Sequence, residues 1–216
     1  THSGNVVTLS NFEVNDLVGN AGTGTTNSNT YSVDTQRPTA TIVFAKPNMG
    51  IGQMSLVTIT FSEAVSDFTN DDLTVSNGTL SAVSSSDGGV TWTATFTPTA
   101  GINSASNYVI LDNTGVLDGA GNVGSGTTTS NNYGIDGVRP TATVSINKSS
   151  LIIGQTALVT ITFSEAVTSF SNSDLTVSNG TLSAVSSSDG GVTWTATFTP
   201  AGNITSASNV ITLGNT

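Results

Sequence analysis

Carboxylates are the side chains in this sequence with the greatest capacity for chemistry. The 216 residues include 14 Asp and Glu against only four Lys and Arg, so the formal net charge is −10. Many of these acids lie in segments rich in Gly, Asn and Ser, which favour turns. Carboxylate, amide and carbonyl oxygens are the ligands that calcium prefers, and about six to eight of them surround one ion. The acidic turns predict a calcium site, but acids on surface loops can also serve solubility alone.

Other site chemistries are excluded by composition. The sequence has no cysteine, which rules out disulfides, zinc–thiolate sites and thiol catalysis. Its single histidine, His2, cannot by itself form a catalytic triad or a catalytic metal site. The four cations, Arg37, Lys46, Arg139 and Lys148, are not clustered as phosphate binding requires. No apolar run reaches the roughly 20 residues of a membrane-spanning helix. We therefore expect a non-enzymatic segment that binds no nucleic acid and inserts into no membrane.

The chain is organised by an internal repeat with an offset of 102 in residue number. The segment Asp72–Pro98 returns without a single change as Asp174–Pro200. The segment 1–34 keeps the same phase, so that Tyr31 corresponds to Tyr133. The offset divides the chain into three pieces: 1–34 is the end of a preceding repeat, 35–136 is a complete repeat, and 137–216 is a further repeat without its last strand. A period near 100 suits independent domains rather than a solenoid, whose repeats are about 20–45 residues long.

Within each repeat the hydrophobic pattern has a period of two. Val90, Trp92, Ala94 and Phe96 alternate with threonines, which is typical of strands with one buried and one exposed face. The alternation places Trp92 in the core rather than on a sugar-binding surface. Turn-forming residues separate the runs and predict strands near 39–45, 55–61, 72–76, 79–84, 89–97, 107–112 and 126–135. This pattern predicts an all-β fold of tandem immunoglobulin-like β-sandwich repeats of about 102 residues without disulfides.

The predicted connectivity brings many of the acids to one end of the sandwich. If the strand near 39–45 leaves that end, alternate connections return to it, so the loops at 62–71, 85–88 and 113–125 share it with the linker at Asp34. The acids in or beside these loops are Glu63, Asp67, Asp71, Asp72, Asp87, Asp112 and Asp118. Crowded carboxylates repel one another, and a bound divalent cation relieves the repulsion.

Four strings resemble a known class of repeat. They are Asp34-Thr-Gln-Arg-Pro-Thr-Ala-Thr, Val57-Thr-Ile-Thr-Phe-Ser-Glu-Ala-Val, Gly88-Gly-Val-Thr-Trp-Thr-Ala-Thr-Phe-Thr-Pro and Asp118-Gly-Ala-Gly-Asn. Together they resemble the tandem bacterial immunoglobulin-like repeats of giant repeats-in-toxin-type surface adhesins, over the whole chain. The resemblance implies an extracellular structural extender at the bacterial cell surface. It also implies calcium at the junctions between neighbouring repeats, where it stiffens the array.

The resemblance also implies a set of metal ligands. These are Asp34 in the linker, Glu63 in the Phe-Ser-Glu-Ala-Val string and Asp118 in the Asp-x-Ala-Gly-Asn loop, with Asp136 and Glu165 as counterparts at the next junction. Because 137–216 stops before its own Asp-x-Ala-Gly-Asn loop, we expect a complete site only at the first junction.

Two other functions fit the sequence. The chain could be a subunit of a surface filament or surface layer, in which 1–34 of one copy donates its strand to 137–216 of an identical chain. It could instead be a module that binds glycans or a host protein. The near-identity of the two copies favours a spacer, because a dedicated binding site usually belongs to one differentiated domain.

Overall fold

A computed structural model describes residues 2–214 of the chain and confirms the predicted all-β class. The chain divides into two compact units, Thr1–Val138 and Arg139–Thr216. Within the described residues, the strands of the first unit are β1 (His2–Asn5), β2 (Thr8–Ser10), β3 (Thr25–Asn27), β4 (Tyr31–Val33), β5 (Ala40–Phe44), β6 (Asn48–Gly50), β7 (Ser55–Phe61), β8 (Val65–Ser66), β9 (Leu73–Val75), β10 (Gly78–Leu80), β11 (Ser84–Ser85), β12 (Thr91–Pro98), β13 (Asn103–Asn107), β14 (Val109–Asp112), β15 (Leu117–Asp118), β16 (Thr127–Thr129) and β17 (Tyr133–Asp136).

The strands of the second unit, within the same described range, are β18 (Ala142–Ile146), β19 (Ala157–Phe163), β20 (Leu175–Val177), β21 (Gly180–Leu182), β22 (Ser186–Ser187), β23 (Thr193–Pro200) and β24 (Ile211–Leu213). Short 3-10 helices cover Asn11–Glu13, Asn70–Asp72, Asn113–Gly115 and Asn172–Asp174. None of the helices between residues 2 and 214 is long and apolar enough to cross a membrane.

The complete repeat is a two-layer sandwich. One layer has the strand order β10-β12-β7-β5, with β11 also paired to β12, and the other layer contains β16-β14-β9 and β13-β17-β6. Strand β7 shows how the sequence builds the first layer. Val57, Ile59 and Phe61 point into the core, and Thr58 and Thr60 between them face outwards. The predicted period of two is therefore the alternation between the two faces of the sheet.

Three aromatic rings connect the two layers. Tyr133 of β17 is completely buried. Its ring stacks on Phe44 at a centroid distance of 4.2 Å and lies 4.8 Å from Phe96. Its hydroxyl donates a hydrogen bond to the carbonyl oxygen of Ser76. One side chain of the second layer thus closes the core against two strands of the first, with its polar end satisfied.

The second layer differs from the sequence prediction, because the strand expected at 126–135 is two strands. Strand β16 pairs antiparallel with β14, whereas β17 pairs antiparallel with β13 and parallel with β6. Side chains replace the sheet hydrogen bonds at the break. Ser130 Oγ accepts from Val109 N, and the amide oxygens of Asn131 and Asn132 accept from Phe44 N and Asn107 N, at 2.9–3.0 Å. The polar residues 130–132 therefore lead the chain from the β16-β14-β9 sheet to the β13-β17-β6 sheet of the same layer.

Strand β6 is a second departure from the sequence prediction. The segment 47–50 lies between two predicted strands, and its Pro, Asn and Gly around a single apolar residue indicate a turn. Met49 is nevertheless 2% exposed, and β6 pairs in parallel with β17. Its partner comes from the far end of the repeat, so no local pattern could have indicated the strand.

Trp92 lies against the core, as its phase in the strand predicts. Its ring packs edge-to-face on Phe68 at 5.2 Å. The indole N–H donates to the carbonyl oxygen of Gly89 at 3.0 Å. Trp194 makes the equivalent contacts with Phe170 and Gly191 in the second unit. Both indoles thus have a packing partner and a hydrogen-bond acceptor within their own repeats.

The second unit reproduces the first layer of the sandwich. Its sheet has the order β18-β19-β23-β21, with β22 on β23, and β20 pairs with β24. Within the described residues, however, the segments 150–152, 167–168 and 205–209 form no strand, although their counterparts in the complete repeat are β6, β8 and β13. In the complete repeat β6 and β13 pair with β17, and β8 pairs with β15. By the offset of 102, the counterparts of β15 and β17 have numbers above 216.

The N-terminal segment 1–34 contains two antiparallel pairs, β1 with β4 and β2 with β3. Their register matches the complete repeat, because His2 faces Val33 as Ser104 faces Ile135. The hydrogen bond from Val7 N to Ser28 Oγ likewise reproduces the one from Val109 N to Ser130 Oγ, both at 3.0 Å. This segment therefore has the local structure of the end of a repeat.

We expect Tyr133→Ala to lower the free energy of unfolding of the complete repeat by about 3–5 kcal/mol, because a buried aromatic ring leaves a cavity. Tyr108, which is 38% exposed, is the matched control, and Tyr108→Ala should cost less than about 1 kcal/mol. The measurement is urea unfolding in a Trp194→Phe background, where Trp92 fluorescence reports only the first unit. Equal effects of the two substitutions would contradict the central position of Tyr133.

Asp87 predicts a pH dependence of stability. Its carboxylate accepts hydrogen bonds from Thr91 N at 2.8 Å and Ser85 Oγ at 2.9 Å, and these bonds lower the pKa of Asp87 to about 2. A lowered pKa in the folded state stabilises the protein above the unfolded pKa and loses that contribution as the pH falls towards the folded value. Asp87→Asn should therefore destabilise the protein at pH 7, and the difference should shrink as the pH falls from about 4 to about 2.

Urea midpoints measured across this pH range test the expectation. The exposed acid Asp71 provides the control, since its side chain does not hold the Ser85–Thr91 turn, and Asp71→Asn should leave the midpoint nearly unchanged. A constant difference between wild type and Asp87→Asn from pH 7 to pH 2 would show that the carboxylate charge is not what stabilises the turn.

Candidate metal site

The ends of three strands meet at one end of the complete repeat. Asp34 follows β4, Glu63 follows β7, and Asp118 is the last residue of β15. Strand β15 pairs with β8, so that Asp118 lies opposite Val65. The backbone N–H of Val65 also donates to Gly89 O at 3.1 Å. The loops that the connectivity placed at a shared end are thus joined there by backbone hydrogen bonds.

Asp34, Glu63 and Asp118 come together at this end. One carboxylate oxygen from each lies within 4.8 Å of the other two. Asp118 is buried at 3% exposure, and the other two side chains are half-buried. Among residues 2–214, this is the one group of three or more acidic, histidine or cysteine side chains close enough to share a metal ion.

A short loop orients Asp118. Its Oδ1 accepts hydrogen bonds from the backbone N–H of Ala120 at 2.9 Å and of Asn122 at 2.8 Å, and its Oδ2 accepts from Asn122 Nδ2 at 2.8 Å. The hydrogen bonds, above all that from the Asn122 side chain, lower the pKa of Asp118 and so favour its ionised form. A carboxylate has about four lone-pair sites, so three donors leave room for one further ligand.

The loop also contacts the linker between repeats. Asn122 Nδ2 donates to the backbone oxygen of Asp34 at 3.2 Å. Arg37 Nη1 donates to Val123 O at 2.6 Å. Sequence reasoning did not select Asn122 or Arg37 as site residues. The available signals were the Asn at the end of the Asp118 loop and the Arg immediately after the linker acid.

Glu63 shows the electrostatic cost of the arrangement. Burial, followed by the negative charges of Asp118 and Asp34, raises the pKa of Glu63. Its ionised form is therefore disfavoured in the folded protein relative to the unfolded chain. A cation bound between the three carboxylates would reverse this effect, because it attracts the same charge that the neighbouring acids repel.

The residues present fit a calcium ion. Two oxygens on opposite sides of one calcium are separated by twice the coordination distance, or about 4.6–5.2 Å. The 4.8 Å limit on the carboxylate oxygens is compatible with that separation. All three donors are hard oxygen ligands, which suits calcium better than a metal that selects nitrogen or sulfur.

The same loop occurs in the N-terminal segment 1–34. Comparing the two loops shows which features of the site come from the local sequence and which need the tertiary structure. Asp16 Oδ1 accepts from Val18 N at 3.0 Å and Asn20 N at 2.9 Å, and Asn20 Nδ2 donates to Asp16 Oδ2 at 2.7 Å. Asp16 is exposed and is not part of a group of three among the described residues. The local sequence is therefore sufficient for the loop, whereas the cluster also needs the linker and the Glu63 turn.

Asp136 and Glu165, the predicted ligands of the next junction, lie in different units. Asp136 ends β17 and is exposed, and its Oδ1 accepts from Val138 N at 3.3 Å, much as Asp34 Oδ1 accepts from Gln36 N at 3.2 Å. Glu165 follows β19 and is half-buried. Neither belongs to a group of three ligands within residues 2–214. The counterpart of Asp118 would be residue 220, outside the sequence.

Sequence comparison assigns the chain to a family. The family described as bacterial Ig-like domain matches residues 34–135 and again residues 136–216. The chain therefore belongs to the bacterial Ig-like domain family and contains two tandem members of it. No curated protein matches the chain as a relative.

The solved structures that are similar to this chain include two bacterial adhesins. One is the Escherichia coli adhesin FdeC, with 13% sequence identity and a TM-score of 0.45 over 89% of this chain and 69% of FdeC. The other is the Yersinia pseudotuberculosis adhesin InvE, with 19% identity and a TM-score of 0.31 over 74% of this chain and 51% of InvE.

The raised pKa of Glu63 predicts whether its substitution stabilises or destabilises the protein. A raised folded-state pKa means that ionisation of Glu63 costs the folded protein stability once the pH rises above its ordinary value of 4.5. In the presence of a chelator, Glu63→Gln should therefore raise the urea midpoint at pH 7 and change it little at pH 4. Glu165→Gln is the matched control, because Glu165 has the same sequence context outside the cluster. A Glu63→Gln variant that is destabilised at pH 7 in chelator would contradict this electrostatic account.

Proposed function

We propose that this chain is a stretch of a non-enzymatic extender, a stalk or fibre module of a bacterial cell-surface adhesin, located outside the cell. Calcium at the junction of consecutive repeats stiffens it. The observation that carries the proposal is the position of Asp34. This linker residue belongs by phase to the preceding repeat, yet its carboxylate lies within 4.8 Å of acids of the following repeat. A metal ion held there would join neighbouring repeats.

The repeat pattern supports a spacer. Residues 72–98 and 174–200 are identical. The sheet that contains β12 and the sheet that contains β23 have the same strand order and register. An extender needs equal, interchangeable units, whereas ligand recognition needs a differentiated surface. Both tryptophans, the side chains best suited to sugar stacking, also pack within their own repeats. These features favour an extender over a module that binds glycans or a host protein.

The proposed role of each site residue follows from its position. Asp118 supplies an ionised oxygen held in place by its own loop. Glu63 supplies a charge from the turn after β7, and Asp34 supplies one from the linker. Calcium, when bound, neutralises these charges and links the three segments through oxygen ligands. The linker would then lose freedom relative to the repeat that follows it.

We expect millimolar calcium to raise the melting temperature of the first unit relative to a chelator. A ligand that binds only the folded state stabilises it by about 2.7 kcal/mol at a hundredfold excess over Kd. Asp118→Asn should remove most of this shift, since it removes one of the three charges. Asp16→Asn is the matched control, because it alters the same loop outside the cluster and should leave the shift intact. A melting temperature that is indifferent to calcium would refute the metal site.

Hydrogen exchange tests the stiffening separately. The backbone N–H groups of residues 35–37 should exchange several-fold more slowly with calcium than with chelator, and Asp118→Asn should abolish the difference. A glycan array probed with the full chain tests the rival function. Specific glycan binding that survives chelation would favour a binding module over an extender.

A further inference from the structure

The chain enters and leaves the complete repeat at opposite ends. Strand β5 begins beside the candidate metal site, because Ala40 pairs with the last residue of β7, two residues before Glu63. Strand β7 runs back to the metal-site end, so the turn 51–54 that precedes it lies at the other end. The last residue of β17 pairs with the last residue of β6, next to this turn. Tension along an array of such repeats therefore pulls on the two opposite ends of the sandwich.

The first and last strands of the complete repeat lie side by side. We call residues 39–50 the entry segment and residues 127–136 the exit segment. Strand β5 lies next to β16, which follows the loop that contains Asp118. Further along, β6 pairs in parallel with β17. Both segments therefore run in the same direction, from the metal-site end to the opposite end.

Side chains join the two segments near their middle. The ring of Phe44 in the entry segment stacks on that of Tyr133 in the exit segment at a centroid distance of 4.2 Å. The backbone N–H of Phe44 donates to Asn131 Oδ1 at 2.9 Å. Both rings are buried, at 3% and 0% exposure. The segments are thus connected directly to each other and not only through the remaining strands.

The parallel pairing of β6 with β17, which we call the β6–β17 ladder, is shielded from water. Met49 and Ile135 face each other in it and are 2% and 3% exposed. The backbone N–H of Gly134 donates to Pro47 O at 2.7 Å in the same stretch. Hydrogen bonds in apolar surroundings are electrostatically stronger than those in water. Water can replace these bonds only after the two strands have separated.

We propose that the β6–β17 ladder and the Phe44–Tyr133 stack form a mechanical clamp that keeps the complete repeat folded under tension. A pull on the linker draws the entry segment towards the metal-site end, and a pull beyond Asp136 draws the exit segment the other way. This load acts along the strands, so the ladder bonds share it and must break together. A load across the strands would break them one after another from one end.

The inference goes beyond the proposed extender function, in which calcium stiffens the linker. An extender transmits force between the structures at its two ends, and the clamp would preserve its length while it does so. The clamp involves no metal, so the measurements are made in the presence of a chelator. Their failure would leave the calcium-linked junction unaffected.

Pulling the full 216-residue chain in two directions with optical tweezers tests the clamp. The sequence has no cysteine, so a pair of introduced cysteines provides unique attachment points. Thr35→Cys with Val138→Cys loads the β6–β17 ladder lengthwise. Ile51→Cys with Val138→Cys instead pulls the two strands apart at the end of the ladder. All three replaced side chains are exposed.

We expect the unfolding force to be at least twice as large in the lengthwise direction as in the crosswise one. The length of chain released identifies the unfolding repeat, because an extended chain spans at most about 3.3–3.6 Å per residue. Equal forces in the two directions would overturn the proposal, since they would show that the ladder does not carry the lengthwise load. This comparison leaves the core of the repeat unchanged.

Two core substitutions separate mechanical from thermodynamic stability. Met49→Ala shortens a side chain of the β6–β17 ladder. Leu111→Ala is the matched control, because Leu111 in β14 is also completely buried but lies outside both segments. Both substitutions leave a cavity and should lower the urea midpoint.

Under constant lengthwise force, however, Met49→Ala should unfold at least tenfold faster than wild type and Leu111→Ala less than threefold faster. Forced unfolding follows the unfolding rate, and the contacts of Leu111 are still formed when the clamp breaks. A Leu111→Ala variant that is accelerated as much as Met49→Ala would show that the load is spread over the whole sandwich, and the clamp would be refuted.

Discussion

The packing of Tyr133 against Phe44 and Phe96 is the interaction on which the complete repeat depends. It fixes β17 in the second layer as the central strand of the β13-β17-β6 sheet, where β13 and β6 pair with its two edges. The second unit provides a comparison within the same chain. Its first sheet has the same order and register without a β17, yet the counterparts of β6 and β13 are not strands. A strand needs a partner for its backbone groups, and in this fold one strand serves two neighbours.

The junction between repeats also depends on contacts between distant segments. Here the contacts are between charged side chains instead of backbone hydrogen-bonding groups. Asp118 is held by a loop that its own stretch of sequence can form, as the equivalent loop at Asp16 shows. The function proposed for it depends on neighbours from elsewhere in the chain. Glu63 and Asp34 bring negative charges close to Asp118, and the pKa of Glu63 rises in response. The unfavourable charge arrangement is what makes the site a candidate for a cation, and it forms where the linker meets the next repeat.

Much of this architecture was predictable, because its causes are local or repeated. The offset between the repeats is visible in the sequence. The alternation of threonine with apolar residues predicts strands near 55–61 and 89–97, which the structure has at Ser55–Phe61 and Thr91–Pro98. The convergence of Asp34, Glu63 and Asp118 agrees with the placement of their loops by the connectivity of a sandwich. The contribution of Asn122 was harder to see, since an Asn in a Gly-rich turn has many possible roles. Its amide donates both to Asp118 and to the linker, and only the fold brings these acceptors together.

The sequence by itself determined the all-β class, the repeat length, the inward face of each long strand and the Asp–Asn loops, because each depends on residues close together in the chain or on the repeat itself. The tertiary structure decided the rest. It divided the segment 126–135 between two sheets, made a parallel strand of Asn48–Gly50, and left the matching segment of the second unit without strand structure. Sheet pairing between distant segments depends on whether the partner strand is present and on which edge is open. Neither condition can be inferred from the sequence of the segment that becomes a strand.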